Sequence, residues 1–157
     1  MTQTMLRSLL LILALVAVAG CDSDPFDADG RPYAASDVDV QAMPIGGYGA
    51  IAALTEYPRL ARDAGIAGRV VVRGVVVPGE TLSDAVVETT PSDVLSSAAL
   101  DAVRSRASGR VVAWTPARIG TREVAAETRF CVDFQLTGET DPSGSSVGQT
   151  DASACLD

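Results

Sequence analysis

The sequence predicts one α+β domain, a small three-stranded antiparallel sheet with two helices on one face. Three observations predict this fold class. The chain has 157 residues, of which 47% are hydrophobic, and this suits a single domain with a modest core. The predicted elements follow the order helix, strand, strand, helix, strand. The last strand alternates between hydrophobic and polar residues, as a strand with one buried face does.

The chain begins with the pattern of a lipoprotein signal peptide. Arg7 precedes an almost unbroken apolar run over 8–20. This run of about 13 residues is well short of the roughly 20 that cross a bilayer as a helix, and it is typical of a secretory signal. It ends in VAGC, which resembles a lipobox, the site where lipoprotein signal peptidase cuts before a lipidated cysteine. We predict a lipoprotein signal peptide over 1–20 and lipidation of Cys21; an ordinary signal peptide is the alternative.

The net charge of −8 comes from the two ends of the mature chain. Residues 21–42 are rich in aspartate, alanine and proline, and they predict a flexible acidic tether. Residues 138–157 are rich in serine, glycine and aspartate, and they predict a disordered acidic tail. The middle of the chain is neutral. Because no basic cluster is present, we expect no binding to nucleic acid.

The predicted domain occupies 43–137. In its first half, Pro58 suits the first turn of a short helix that Gly65 would end. A β-branched strand over 69–77 follows, and a Pro-Gly turn leads to a return strand over 82–89. These two strands predict an antiparallel hairpin beside the helix.

In the second half, a helix begins with Thr90 as its cap and Pro91 at its first position, and it runs to about Arg106. The last strand, over 128–136, has the clearest alternation in the chain. Its hydrophobic face consists of Thr128, Phe130, Val132, Phe134 and Leu136. Its polar face consists of Arg129, Cys131, Asp133 and Gln135.

Two cysteines remain once Cys21 carries lipid. In an exported chain a disulfide between Cys131 and Cys155 is the natural prediction. It would close a loop of about 24 residues and contribute roughly 3 kcal/mol in the chain-entropy model. Two separate thiols are the alternative.

The composition argues against an enzyme. Histidine is absent, so the chain has no Ser–His–Asp triad, no Cys–His pair and no zinc site that contains histidine. No glycine pattern resembles a phosphate-binding loop, and the aspartates of the tether and tail are not expected to be buried, as catalytic acids and bases usually are. We therefore predict no catalytic residue, no metal ligand and no cofactor.

The order of the elements and several local segments resemble the C-terminal domain of TonB energy transducers. The similar segments, within 43–137, are MPIGGYGAIAAL, YPRLARDAGIAGRVVVRGVV, LSSAALDAVR, WTPARIG and FCVDFQL. The resemblance implies binding to the N-terminal box of outer-membrane TonB-dependent receptors by β-strand addition to the last strand. The implied partner-binding residues are Thr128, Arg129, Phe130, Val132, Asp133, Phe134 and Gln135.

The sequence thus predicts a periplasm-facing binding module that is lipid-anchored to the inner or outer membrane, as a monomer or a strand-swapped dimer. Its partner would be a TonB-dependent receptor or another envelope protein. One alternative is a structural or regulatory lipoprotein, in which a bond between Cys131 and Cys155 folds the tail across the last strand and blocks a partner. Another is a true energy transducer, which requires that 1–20 stay attached as a membrane helix.

Overall fold

The computed structural model describes residues 24–79, 82–104, 112–136, 146–150 and Cys155. The predicted signal peptide and the lipidation of Cys21 lie outside these residues. Within them, no helix is both long and apolar enough to cross a membrane.

The domain is built from short helices and antiparallel strands. The strands are β1 (Met43–Pro44), β2 (Gly68–Val76), β3 (Leu82–Thr89), β4 (Trp114–Thr115), β5 (Ala117–Ile119), β6 (Arg122–Val124), β7 (Ala126–Gln135) and β8 (Ser146–Thr150). The helices are α1 (Gly49–Leu54), α2 (Arg59–Asp63) and α3 (Asp93–Arg104). The main sheet has four strands in the order β3-β2-β7-β8. Its first three strands and the helices confirm the predicted α+β fold class, and β8 extends the predicted sheet.

One face of the main sheet packs against the helices and forms the core. On α3, the buried residues recur at helical spacing. They are Leu95, Ala99, Ala102 and Val103. Even-numbered residues of β2 and β7 belong to the same cluster: Val70, Val72, Val76, Ala126, Phe130, Val132 and Phe134. The alternation in the sequence therefore identified the buried face of both strands.

Phe130 lies at the centre of this core and is fully buried. Its ring centroid lies 5.9 Å from that of Trp114 and 6.5 Å from that of Tyr48. Tyr57 contacts the next aromatic residue of the strand, Phe134, at 5.4 Å between ring centroids. The Tyr57 hydroxyl donates to the Ile66 carbonyl oxygen at 2.7 Å. Desolvation raises the pKa of this hydroxyl, against a smaller opposite effect of Arg62, so the neutral donor form is favoured.

Gly74 lets β3 approach β2 closely. A Cβ atom at this position would lie 2.8 Å from Leu82 Cδ1 and 3.0 Å from the Ser83 carbonyl oxygen. The pairing of β2 with β3 shifts register between Arg73 and Val75, opposite the positive φ of 48° at Asp84. The absence of a side chain at Gly74 is therefore part of the local packing.

Replacing Gly74 with valine is expected to lower the free energy of unfolding by about 1–3 kcal/mol, because Leu82 and the β3 backbone must move. Urea denaturation of the variant measures this loss. Gly49→Ala is the matched control, since a Cβ there meets nothing within 4 Å. Equal stability of Gly74→Val and the wild type would contradict the packing argument.

The described part of the N-terminal segment, 24–42, forms hydrogen bonds with the domain. Pro25 accepts a hydrogen bond from the Ala125 N–H at 2.8 Å, and Val40 forms an antiparallel bridge with Arg118. Asp27 Oδ1 accepts the N–H groups of Asp29 and Arg31 at 2.9 and 2.8 Å. Asp27, which the composition alone would place in solvent, thus forms a local turn. Such a turn leaves no periodic hydrophobic pattern in the sequence.

In the C-terminal segment 138–157, the structure describes 146–150 and Cys155. Within it, β8 pairs antiparallel with 131–135 of β7. Cys155 is joined to Cys131 by the predicted disulfide, with their Cα atoms 5.9 Å apart. The composition of this segment did not predict the strand, because the strand pairs through backbone groups and needs no hydrophobic pattern in its sequence. Residues 137–145, 151–154 and 156–157 lie outside the described part of the chain.

Candidate strand-addition edge

The outer edge of β7 is the candidate site. On its inner side, β7 pairs with β2 along nearly its whole length. On its outer side, two other segments of the chain lie against it. Tyr33 bridges the start of the strand at Ala126, and β8 pairs with 131–135. Neither of these described segments pairs with 128–130.

Tyr33 is fixed to the start of this edge by several bonds. Its N–H donates to the Ala125 carbonyl oxygen at 2.8 Å, and its carbonyl oxygen accepts the Glu127 N–H at 2.9 Å. The Tyr33 hydroxyl also accepts a hydrogen bond from Arg122 Nη2 at 2.8 Å. A strand that binds along β7 therefore meets Tyr33 at Ala126 and has room only beyond Glu127.

The direction of the backbone groups follows from the Tyr33 contact. Because the Glu127 N–H points to the outer edge, strand alternation turns the N–H groups of Cys131, Asp133 and Gln135 outward as well. The residues opposite them in β8 are Thr150, Gly148 and Ser146. The even-numbered N–H groups of β7 point instead to β2. The outer edge thus offers the backbone N–H and C=O groups of every second residue of β7 to a fourth strand.

The predicted partner-binding residues divide between the two faces of β7. Thr128, Phe130, Val132 and Phe134 are buried under the helices, none more than 7% exposed. Their side chains hold the strand in the core, so their contribution to a partner would be through the backbone. Sequence alternation separated these residues from the others but did not show how fully they are covered.

Arg129 belongs to an ion-pair network on the open face of the sheet. Its Nε lies 2.7 Å from Glu88 Oε2, and the Nε of Arg73 lies 3.2 Å from the other oxygen of that carboxylate. Arg73 also lies 3.7 Å from Glu127. The short Arg129 contact is a charge contact rather than an aligned hydrogen bond, because its Nε–H has no acceptor in hydrogen-bond geometry.

Asp133 is paired with the neighbouring strand as well. Arg69 holds its carboxylate through Nε at 2.8 Å and Nη2 at 3.3 Å. Gln135 is exposed at the end of the strand. Of the three polar residues predicted to face a partner, two therefore already have partners within the sheet. Partly exposed ion pairs contribute only about 0–1 kcal/mol, so they can exchange when a partner binds.

Cys131 lies on the open face, as the alternation predicts, but it is not solvent-exposed. It is fully buried in a small cluster with Val71 and Cys155, separate from the main core. Cys155 is itself only 7% exposed. The disulfide therefore belongs to a small buried cluster on this face of the sheet.

The opposite edge of the sheet is less suited to pairing. Along β3, the register with β2 shifts twice, and such bulges interrupt the regular row of backbone groups. Arg104 also donates a hydrogen bond to the Ala85 carbonyl oxygen of this strand. These features favour the β7 side as the edge where a further strand is added.

The described residues contain no group of three or more histidine, cysteine, aspartate or glutamate side chains that could hold a metal ion. The edge itself offers backbone hydrogen-bonding groups and exchangeable charges. The sequence did not reveal two of its components, Tyr33 and β8, because neither carries an alternating hydrophobic pattern. The prediction of a disulfide was the one signal that brought the tail close to β7.

A family model described as Gram-negative bacterial TonB protein C-terminal matches residues 54–136. No curated protein and no solved structure shows a significant match to the chain. The matched range ends directly after β7, so the fourth strand of the sheet and Cys155 lie beyond it.

Proposed function

The chain belongs to the Gram-negative bacterial TonB protein C-terminal family, and on this premise we propose that it binds an envelope partner by β-strand addition to β7. The family is a non-catalytic, transport-associated domain of the cell envelope. The proposed partner is the N-terminal segment of an outer-membrane TonB-dependent receptor or a segment of another envelope protein. Lipid on Cys21 would hold the module at the membrane, facing the periplasm.

The observation that carries this proposal is the pairing of β8 with β7. The edge at 131–135 accepts an antiparallel strand from outside the family-matched domain. That strand needs only backbone groups and a short extended segment, which are the requirements for strand addition by a partner. A partner that replaced β8 would have room over 128–135, up to the position held by Tyr33.

The same observation supports an alternative, a structural or regulatory lipoprotein whose edge is permanently occupied. In that case β8 completes the sheet and no partner binds at β7. The two proposals differ in one property, namely whether displacement of β8 creates a binding site. A variant that loosens β8 without disturbing the core distinguishes them.

Gly148→Pro removes an N–H that faces Asp133 in the pairing of β8 with β7. We expect it to raise the affinity for receptor N-terminal peptides by about tenfold or more, because a competing strand is weakened. Fluorescence anisotropy with labelled peptides from the organism's outer-membrane receptors measures this change. Val147→Pro is the matched control, since the N–H of Val147 points away from β7 and proline is tolerated there.

A further variant locates the binding on the outer edge. Gln135→Pro removes the last outward N–H of β7, beyond the last residue paired with β2, Phe134. In the Gly148→Pro background it should reduce peptide binding while circular dichroism shows a folded domain. If no receptor peptide binds to folded Gly148→Pro, the occupied-edge alternative is correct. If binding survives Gln135→Pro, the site lies elsewhere.

A further inference from the structure

We propose that the Cys131–Cys155 disulfide is a reducible latch that keeps β8 on the edge of β7. Reduction of this bond would release β8 and expose the outward backbone groups of Cys131, Asp133 and Gln135. The consequence for partner binding rests on the proposed function, whereas the release of β8 does not.

The first argument is the way in which β8 is attached. One end of β8 is joined to β7 through 137–145. The other end is followed by Cys155, which is bonded to Cys131 with the Cα atoms 5.9 Å apart. Thr150, the last residue of β8, pairs with the same Cys131. The bond therefore fixes the end of β8 that the polypeptide connection leaves unrestrained.

The second argument is that β8 is a short strand at the edge of the sheet. It has five residues and lies against β7 and α1, so the disulfide is the one covalent link that adds to these contacts. Closure of the loop by the bond removes much of the conformational freedom that release of the strand would gain. Loss of the bond should thus shift the equilibrium toward the open edge.

The third argument is that the bond stands apart from the main core. Val71, Cys131 and Cys155 form their own cluster, and the helices pack on the other face of the sheet. A disulfide that cross-linked the main core would instead lie among residues such as Phe130 and Val132. Reduction should therefore affect β8 and leave the pairing of β2 with β7 in place.

The reductant is a dithiol, the class to which Cys-X-X-Cys proteins and dithiothreitol belong. Its thiolate attacks the Cys155 sulfur, because Cys155 is 7% exposed and Cys131 is fully buried. The disulfide breaks, and Cys131 leaves as a thiolate that takes a proton. The second thiol of the reductant then attacks the mixed disulfide, which releases Cys155 as a thiol. Two electrons and two protons pass to the protein, and the reductant becomes a disulfide.

Amide hydrogen exchange of the full mature chain tests the latch without any partner. On reduction with dithiothreitol, we expect exchange at Cys131, Asp133 and Gln135 to accelerate about 10- to 100-fold, in line with the loop-closure model. Exchange at Val132 and Phe134 should stay unchanged, because their N–H groups face β2. Alternate residues of one strand thus serve as the internal control.

Cys155→Ser provides the matched variant. Without reductant it should reproduce the accelerated exchange at the outward amides, and dithiothreitol should then cause no further change. Unchanged exchange at the outward amides on reduction would overturn the latch. Equal acceleration at Val132 and Phe134 would also overturn it, because the bond would then support the whole sheet.

Peptide binding separates the latch from the proposed function. If the outward amides open on reduction but receptor peptides do not bind, the latch stands and the proposed partner is wrong. If receptor peptides bind equally to the oxidised and reduced chains while exchange is unchanged, strand addition stands and the latch is wrong.

Discussion

Replacing Phe130 with alanine is expected to lower the free energy of unfolding by about 3–5 kcal/mol, the range for loss of a buried phenyl ring. The residue is fully buried at the centre of β7 and contacts both Tyr48 and Trp114. Its loss leaves a cavity between the helices and the sheet that these rigid rings cannot fill. A domain of this size has a total stability of only about 5–15 kcal/mol, so this loss is a large fraction of it.

Urea denaturation followed by tryptophan fluorescence measures the effect, since Trp114 is the only tryptophan of the chain. Phe130→Leu provides an intermediate variant in case the alanine variant does not fold. Leu60→Ala is the control, because Leu60 is 75% exposed and should change stability by about 0.5 kcal/mol or less. A loss below about 1 kcal/mol for Phe130→Ala would contradict the central position of this ring.

Replacing Cys21 with serine is expected to leave the protein without lipid and with 1–20 still attached, because lipoprotein signal peptidase cuts before a lipidated cysteine. The thiol of Cys21 is the proposed acceptor of diacylglycerol, and several acyl chains give stable attachment at about 0.8 kcal/mol per buried CH₂ group. Serine has no thiol, so no lipid would be added. Mass spectrometry measures the change: the wild type should have an acylated cysteine as its first residue, and the variant should retain 1–20 and carry no acyl group.

Cys155→Ser is the matched control for this experiment, since it removes a thiol elsewhere and should still be cut before Cys21 and acylated there. Wild-type protein that retains 1–20, with an unmodified Cys21, would disprove the lipid anchor. It would also favour the alternative of a true energy transducer with an N-terminal membrane helix.

Much of the fold was predictable because it depends on patterns within single elements. The β-branched run predicted β2, and the alternation around Phe130 predicted both β7 and its buried face. Helix signals at Pro58 and Gly65 bracket α2, and Gly65 has the positive φ of 68° that a helix-ending glycine adopts. In each case the local pattern and the packed structure depend on the same residues.

The candidate site was less predictable because it depends on pairing between distant segments. The bridge from Tyr33 to Ala126 and the pairing of β8 with β7 use backbone groups, which every residue carries. A polar segment that pairs only through its backbone has the same composition as a solvated tail. The charges at Arg129 and Asp133 were visible in the sequence, but their neutralisation by Glu88 and Arg69 required the register of the sheet.

The docking of the N-terminal segment restricts where the module can operate. Pro25 is already bonded to Ala125, so only the stretch from Cys21 to Pro25 can separate a lipid anchor from the folded body. That stretch spans at most about 14 Å when fully extended, so a lipid on Cys21 would hold the folded domain close to the membrane. If Cys21 carries the proposed lipid, the folded domain stays within this distance of the bilayer surface, and its partners must come close to that surface.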